Sequence, residues 1–266
     1  MNIEKKDLTN ALYLSCVENY FLAWISKFYK TEKLYSNSFI SISQVFDDFF
    51  CGASYENYSL IERVQTTAEK YGIVSHRFIK VSIDEAVELI KNLPEQDLCL
   101  IRVKETFFEG FKRHAWRSDH YICVDNKFNW LNQYPLSEGN LTKECFSKIY
   151  DGVICLFSKQ DLTFTPPDEN KTAIVEQKFE TINVEIGLQN LEAAIGILRI
   201  TRRRLAQYYI EEGVSSIFDE EVALLDKLYF DIRFQRIKKT KSENIIYDKV
   251  KEIISLEKKI RDGIRG

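Results

Sequence analysis

TNALYLSCVENYFLAW, residues Thr9 to Trp24, is the stretch on which the reading of the first half of this chain turns. Within it, Ser15-Cys16-Val17-Glu18 has the form of a helix start, with Ser15 as N-cap and Glu18 three residues on as the other half of a capping box. A cysteine therefore falls at the first helical position. It is either a nucleophile held at the positive end of a helix or a small apolar residue that happens to stand there.

Composition narrows the surroundings. The 266 residues, 45% of them hydrophobic, can bury a sizeable core in one large domain or two small ones. A formal net charge of −3 and a pI of about 5.8 supply no global field for nucleic acid or an anionic membrane. The opening MNIEKKDLTN lacks an apolar signal core, and no later stretch approaches the roughly 18 apolar residues of a membrane span, so a cytoplasmic location is expected. Six cysteines, Cys16, Cys51, Cys99, Cys123, Cys145 and Cys155, are scattered without a C-x-x-C pair. That pattern suits reduced thiols better than disulfides or a metal site. Cys99, Cys123 and Cys155 lie in apolar strand-like runs and read as small hydrophobes.

Two compositional regimes follow one another. Up to about Ser158, helical patterns alternate with strand-like runs at 73–81, 99–103, 120–125, 128–133 and 152–158, and the expected fold class is α+β. SIDEAVELIKNL and LTKECFSKIY read as the helices between them. A polar linker, KQDLTFTPPDENK, carries a Pro-Pro pair. Beyond it Leu191, Ile195, Leu198, Leu205 and Tyr209 form a helical seam interrupted by Arg202, and further helices are expected up to about Lys239 and from about Ser242 to Arg261. The expected organisation is a catalytic domain over 1–158, a linker over 159–180 and an all-α module over 181–266.

A cysteine nucleophile needs a base, a group that orients the base, and donors for the developing oxyanion. Three histidines are available. His76 falls inside a strand and reads as an ordinary edge or half-buried histidine, and His114 stands in the basic, aromatic stretch FFEGFKRHAW. His120 opens a strand. A hairpin centred on residue 126 pairs Val124 with Phe128, Ile122 with Trp130 and His120 with Asn132, which makes Asn132 the orienting partner and sends Asp125 to the other face. A one-residue slip would substitute Gln133. Asn10, six residues before Cys16, is the candidate side-chain donor for the oxyanion, with the Cys16 amide beside it. The helix start itself favours the thiolate.

The order Cys16, His120, Asn132, with Asn10 six before the nucleophile, resembles the papain-like cysteine peptidase superfamily. In that superfamily an amide at the corresponding place helps form the oxyanion hole; here it is Asn instead of the usual Gln. The first 158 residues resemble more particularly the N-terminal domain of the butirosin-type acyltransferases, relatives of which serve non-ribosomal peptide and thioamide biosynthesis. The features that carry this are the early cysteine helix, Tyr71-Gly72-Ile73 before a strand, the LIRV run, HYICV, NQYP before a short helix and last strand, and a helical C-terminal extension. The Gly-rich surround often seen before the family's cysteine is replaced by ALYLS. The resemblance implies a papain-like domain, with a nucleophile helix against an antiparallel sheet, followed by an all-α extension.

It also implies a chemistry. Cys16 would take an acyl group from a thioester borne on the phosphopantetheine arm of an acyl or peptidyl carrier protein and pass it to an amine, with no bound cofactor and no metal. A papain-like peptidase or amidase is the alternative, and an inactive binding protein of the same fold a third. Arg202-Arg203-Arg204 and RIKKTK (Arg236 to Lys241) are either docking residues for an acidic carrier protein or ordinary solvated helix faces. FFEGFKRHAWRSD is either a substrate cover or a surface lid. Neither nucleic acid nor a membrane is an expected partner, and a homo-oligomer is left open.

Overall fold

The computed structural model describes residues 3–8, 14–29, 40–53, 58, 72–111, 120–159, 187–209, 215–239 and 243–265. Asn10, Tyr71, His114 and the expected linker beyond Lys159 lie outside them. Among the described residues there are seven α-helices and six strands. In chain order they are α1 (Cys16–Ile25), α2 (Ile42–Phe50), β1 (Ile73–Ile79), α3 (Ile83–Lys91), β2 (Leu98–Val103), β3 (Tyr121–Val124), β4 (Asn129–Asn132), β5 (Ser137–Asn140), α4 (Lys143–Ile149), β6 (Tyr150–Lys159), α5 (Leu188–Tyr208), α6 (Ser215–Lys238) and α7 (Glu243–Arg265). The class is mixed helix and sheet, as α+β requires. No helix among the described residues is long and apolar enough to cross a membrane.

The chain forms two compact units, Met1–Tyr29 with Leu60–Pro166 and Lys30–Ser59 with Pro167–Gly266. This division differs from a cut near residue 158, because residues 30–59 belong with the helical part. The reason is visible in α2, which opens on the Ser41 cap and places Ile42, Val45, Phe46 and Phe49 at helical spacing. All four are buried. In the same unit the Asn190 side-chain amide of α5 donates to the Phe49 carbonyl at 3.1 Å, tying α2 to α5.

In the first unit one antiparallel sheet runs in the order β1-β6-β2-β3-β4-β5. Period-2 alternation sends Cys99, Ile101, Val103, Ile122, Val124 and Ile154 to one face, where Ala86, Val87 and Ile90 of α3 and Phe146 of α4 cover them. The helix α3 carries a full capping box between Ser82 and Glu85. On the opposite face lies α1, buried almost all round: Tyr20, Phe21, Trp24 and Ile25 are each 0% exposed. Each such side chain contributes about 1.5–3 kcal/mol by leaving water, which makes α1 the anchor of that face. Phe21 meets Phe157 of β6 with ring centroids 5.3 Å apart. Strand β5, Ser-Glu-Gly-Asn, has no apolar residue and so no strand signal in the sequence. It is held by pairing with β4, where Trp130 lies over Gly139 so closely that a Cβ there would stand 2.8 Å from the indole nitrogen.

In the second unit α5, α6 and α7 bury the expected seam, Leu191, Ile195, Leu198, Leu205 and Tyr209. Arg202 does not interrupt it. Only 1% exposed, Arg202 donates from Nε to Glu257 of α7 at 2.8 Å and lies 3.7 Å from Glu221 of α6. Arg204 is buried too, and Arg203 pairs with Asp226 at 2.6 Å. The triple arginine is therefore no solvated docking face, since two of its members point into the core of the unit. Glu221 is pushed well above the usual carboxylate range, first by burial and then by the charge of Glu257, with Arg202 acting in the opposite sense.

Candidate functional site

Ser15 caps α1 as expected, its hydroxyl accepting from the Glu18 amide at 3.2 Å. The return bond of the box is displaced by one residue, because the Glu18 carboxylate accepts from the Leu14 amide. Cys16 is the first residue of α1 and is half-buried. The other cysteines sort by environment. Cys99, Cys123 and Cys155 are buried and Cys51 and Cys145 exposed. Burial pushes the Cys99 thiol well above its ordinary value, Cys123 up to about 12 and Cys155 up to about 11.

His120 and Asn132 are brought together: His120 Nε2 lies 2.8 Å from Asn132 Oδ1. The hairpin register that does this differs from the expected one. Cys123 pairs with Leu131 and Val124 with Trp130, so the centre falls at residue 127 and not 126. The cause is the turn. The Phe128 amide donates to the Asp125 carbonyl at 2.9 Å, the Asp125 amide donates to the Asn129 carbonyl at 3.0 Å, and Phe128 takes a left-handed φ of 61°. This is a three-residue loop with one αL position, normally a glycine's place. Asp125 builds it, its Oδ1 accepting from the amides of Lys127 and Asn129, each at 2.9 Å. Each partner moves by two, so the alternation is preserved and Asn132 stays on the face of His120, now as a diagonal neighbour. Gln133 is not the partner.

The tautomer follows from the bonds of Asn132, which is fully buried. Its Nδ2 donates to the Pro135 carbonyl at 2.9 Å, so Oδ1 is the atom turned to the imidazole. An amide oxygen only accepts; Nε2 therefore carries the proton, and in neutral His120 Nδ1 is the basic nitrogen. Phe108 closes on the ring edge-to-face at 4.9 Å between centroids. The Pro135 carbonyl also receives the Ser137 hydroxyl at 2.8 Å, which fixes the acceptor that fixes Asn132.

Tyr20 connects this pair to the cysteine helix. Its hydroxyl donates to the Leu131 carbonyl at 3.1 Å and accepts from the Gln133 amide at 2.8 Å, so one side chain of α1 holds the backbone on both sides of Asn132. One turn later the Trp24 indole donates to the Gln96 carbonyl at 2.7 Å, two residues before β2 begins. Since β2 and β3 are antiparallel, that point is at the far end of the sheet from His120. Helix α1 thus runs from the end where β3 starts and β4 finishes, and its Cys16 end, about 6 Å beyond Tyr20 along the axis, is directed to the end that carries His120 and Asn132. Burial raises the Tyr20 hydroxyl well above its ordinary value, reinforced by the thiols of Cys16 and Cys123.

The remaining residues are placed as follows. His76 is exposed on β1, an edge strand, apart from this cluster. Asn10, His114 and most of the FFEGFKRHAWRSD stretch fall outside the described residues, although Phe107 and Phe108 of that stretch are buried. Tyr20 is the residue that motif reading passed over, although its i+4 spacing from Cys16 puts both on one helix face. Phe108 has no such signal. A cavity of about 130 Å³ between Leu93, Leu98 and Asp125 lies at the hairpin-loop end of β3, away from His120. Among the described residues no group of acidic, histidine or cysteine side chains is arranged to hold a metal. Comparison of the chain with family models, with curated proteins and with solved structures finds no match in any of the three.

Proposed function

We propose that this chain is a cysteine-dependent acyltransferase of papain-like architecture, working through an acyl-enzyme on Cys16. The observation that supports this most is the His120–Asn132 pair at 2.8 Å, whose bonding leaves Nδ1 as the basic nitrogen, at the end of the sheet to which the Cys16 helix is directed. A base with its orienting amide fixed from behind is what a thiol nucleophile requires.

In this reading the Cys16 thiol gives its proton to His120 Nδ1 and Sγ attacks the carbonyl carbon of a thioester. The Cys16 amide, with Asn10, receives the oxyanion. The tetrahedral intermediate collapses by breaking the bond to the donor sulfur, which leaves as a thiol with the proton held on His120. An amine then attacks the acyl-enzyme, His120 takes its proton, and Cys16 is released when the amide forms. The donor is an acyl or peptidyl group on the phosphopantetheine arm of a carrier protein. Exchange between thiol and thioester is nearly isoenergetic and aminolysis of the second thioester runs downhill, so no cofactor is needed.

Intact-mass analysis tests it. Incubation with an acyl N-acetylcysteamine thioester is expected to add one acyl mass to the wild-type chain and none to Cys16→Ala, and an added amine is expected to discharge the adduct as an amide. No adduct with any thioester, together with alkylation of Cys16 no faster than that of Cys51, overturns the proposal. Cleavage of a peptide substrate in place of amide formation assigns the same site to a peptidase.

A further inference from the structure

The helix α6 has two apolar faces. One is buried within its unit through Phe218, Leu225, Leu228 and Ile232. The other is open: Phe230, Phe234 and Ile237 are 59%, 60% and 67% exposed and follow one another at i, i+4 and i+7. Ala223 and Lys227, both exposed, continue the same line towards the N-terminus. The five positions alternate steps of four and three, the spacing of a coiled-coil seam. Large exposed hydrophobic side chains in a continuous row mark an interaction surface more often than isolated ones do.

The charges beside this row say what fits on it. Asp226 and Arg233 flank one side, Asp231 and Lys238 the other, and the helix carries Asp219 and Glu220 early and Lys238 and Lys239 late. A parallel second copy would set Asp226 against Asp231 and Arg233 against Lys238, like against like on both flanks. An antiparallel copy, with the two-fold axis between Lys227 and Phe230, sets Asp226 of one chain against Arg233 of the other, with Asp219 level with Lys238 and Glu220 with Ile237. The same register places Phe234 over Ala223, large against small, and Lys227 against the ring of Phe230, a cation on an aromatic face. Lys238 and Arg199 already hold such positions within the chain, 5.2 Å from the Phe234 centroid and 4.6 Å from that of Tyr229. Asp226 already serves Arg199 and Arg203 within its own unit, so a second chain's Arg233 would join an existing cluster of charges.

We propose that the exposed face of α6 is a homodimer interface, occupied by α6 of a second copy in the antiparallel sense. The seam is one helix wide, so the dimer sits at the small end of specific interfaces and forms reversibly with concentration. The proposal stands apart from the cysteine chemistry.

Sedimentation equilibrium of the full chain under reducing conditions tests it. The expected result is a monomer–dimer equilibrium that Phe234→Glu weakens by roughly tenfold or more, and that Arg233→Glu weakens through repulsion of Asp226. Both side chains are exposed, so the far-UV circular dichroism of the variants should match wild type. For the orientation, a mixture of Ala223→Cys and Phe234→Cys chains should cross-link under mild oxidation at those two positions, with neither variant doing so alone. A wild-type chain monomeric at every concentration, a dimer indifferent to Phe234→Glu, or a 223-to-223 cross-link overturns it. So does a stoichiometric complex of this face with an acidic partner in place of a second copy.

Discussion

Tyr20 holds Leu131: its buried hydroxyl donates to that carbonyl at 3.1 Å, and the same oxygen receives the Gln133 amide at 2.8 Å. The strand that carries Asn132 is therefore clamped on either side of it by the helix that carries Cys16. Tyr20→Phe keeps the ring and removes both bonds, leaving a buried carbonyl and a buried amide without that partner. A loss of about 1–3 kcal/mol in stability is expected by chemical denaturation. If the proposed acyl transfer holds, kcat should fall while KM stays near wild type, because the clamp acts on the proposed base through Asn132. Equal changes in both constants would speak against that role.

The imidazole and its amide partner should separate in kinetics. On the proposed mechanism His120→Ala removes the base and is expected to slow acylation of Cys16 by roughly 10²–10⁴-fold. Asn132→Ala leaves the base but frees its ring, so the loss is smaller. Rapid-quench mass spectrometry of the acyl-enzyme checks both, and an Asn132→Ala rate equal to wild type would remove the orienting role.

Arg202 is an ion in the core of its unit, and its value depends on Glu257 staying there. Glu257→Ala removes the closer of the two buried carboxylates that face the guanidinium and leaves Glu221 at 3.7 Å as the remaining one, with an expected loss of up to about 3–5 kcal/mol. Arg203→Ala, on a half-exposed pair with Asp226, should cost no more than about 1 kcal/mol. Parallel denaturation curves for the two variants make the comparison, and a similar cost for both would show that burial does not govern the pair.

The hairpin turn carries a pH dependence. Burial works to raise the Asp125 carboxyl, but hydrogen bonds from the Asn129 side chain and the amides of Asn129 and Lys127 outweigh it and hold the group below the usual range. A carboxyl depressed in the folded state stabilises that state above its unfolded value, and the contribution is lost as pH falls through the folded value. Asp125→Asn is expected to melt lower than wild type near neutral pH. The gap should close below about pH 4. A gap that stays constant down to pH 2 would assign the effect to shape and not to charge.

Thiol reactivity should follow burial. Iodoacetamide on the native chain is expected to modify Cys51 and Cys145 early and to leave Cys99, Cys123 and Cys155 untouched until unfolding, since those thiols are both covered and shifted upward. Peptide mapping after timed quenching reads the order. Early labelling of Cys123 would contradict its place under α1.

Most of the first unit's elements were legible because their sequences state them locally: a Ser cap before α1, a Ser cap and helical spacing for α3, apolar β-rich runs for β2, β3 and β6. The pairing of His120 with Asn132 was legible for a reason more robust than its register. Moving the hairpin centre by one residue moved each partner by two and left the faces unchanged. The turn itself was not legible, since Phe128 occupies a left-handed position that composition assigns to glycine and reaches Phe146 at 5.7 Å from there. Strand β5 has no apolar residue to announce it, and Arg202 looked like a break because its partner Glu257 stands 55 residues away. The companionship of α2 with α5 was hidden for the same reason, as it joins Phe49 to a residue 141 positions later.

That last separation also orders events at the ribosome. Synthesis delivers α2 early, yet the helix it lies against does not exist until well over a hundred further residues have been added. At roughly 5–20 residues per second the interval is roughly 7 to 28 s. Throughout it the nascent chain carries the apolar stripe of Ile42, Val45 and Phe46 without that helix, while the strands of the sheet emerge in the meantime. The two units therefore mature in the order opposite to that in which their first helices after α1 are made, and α2 is where a chaperone would find its longest-lived client.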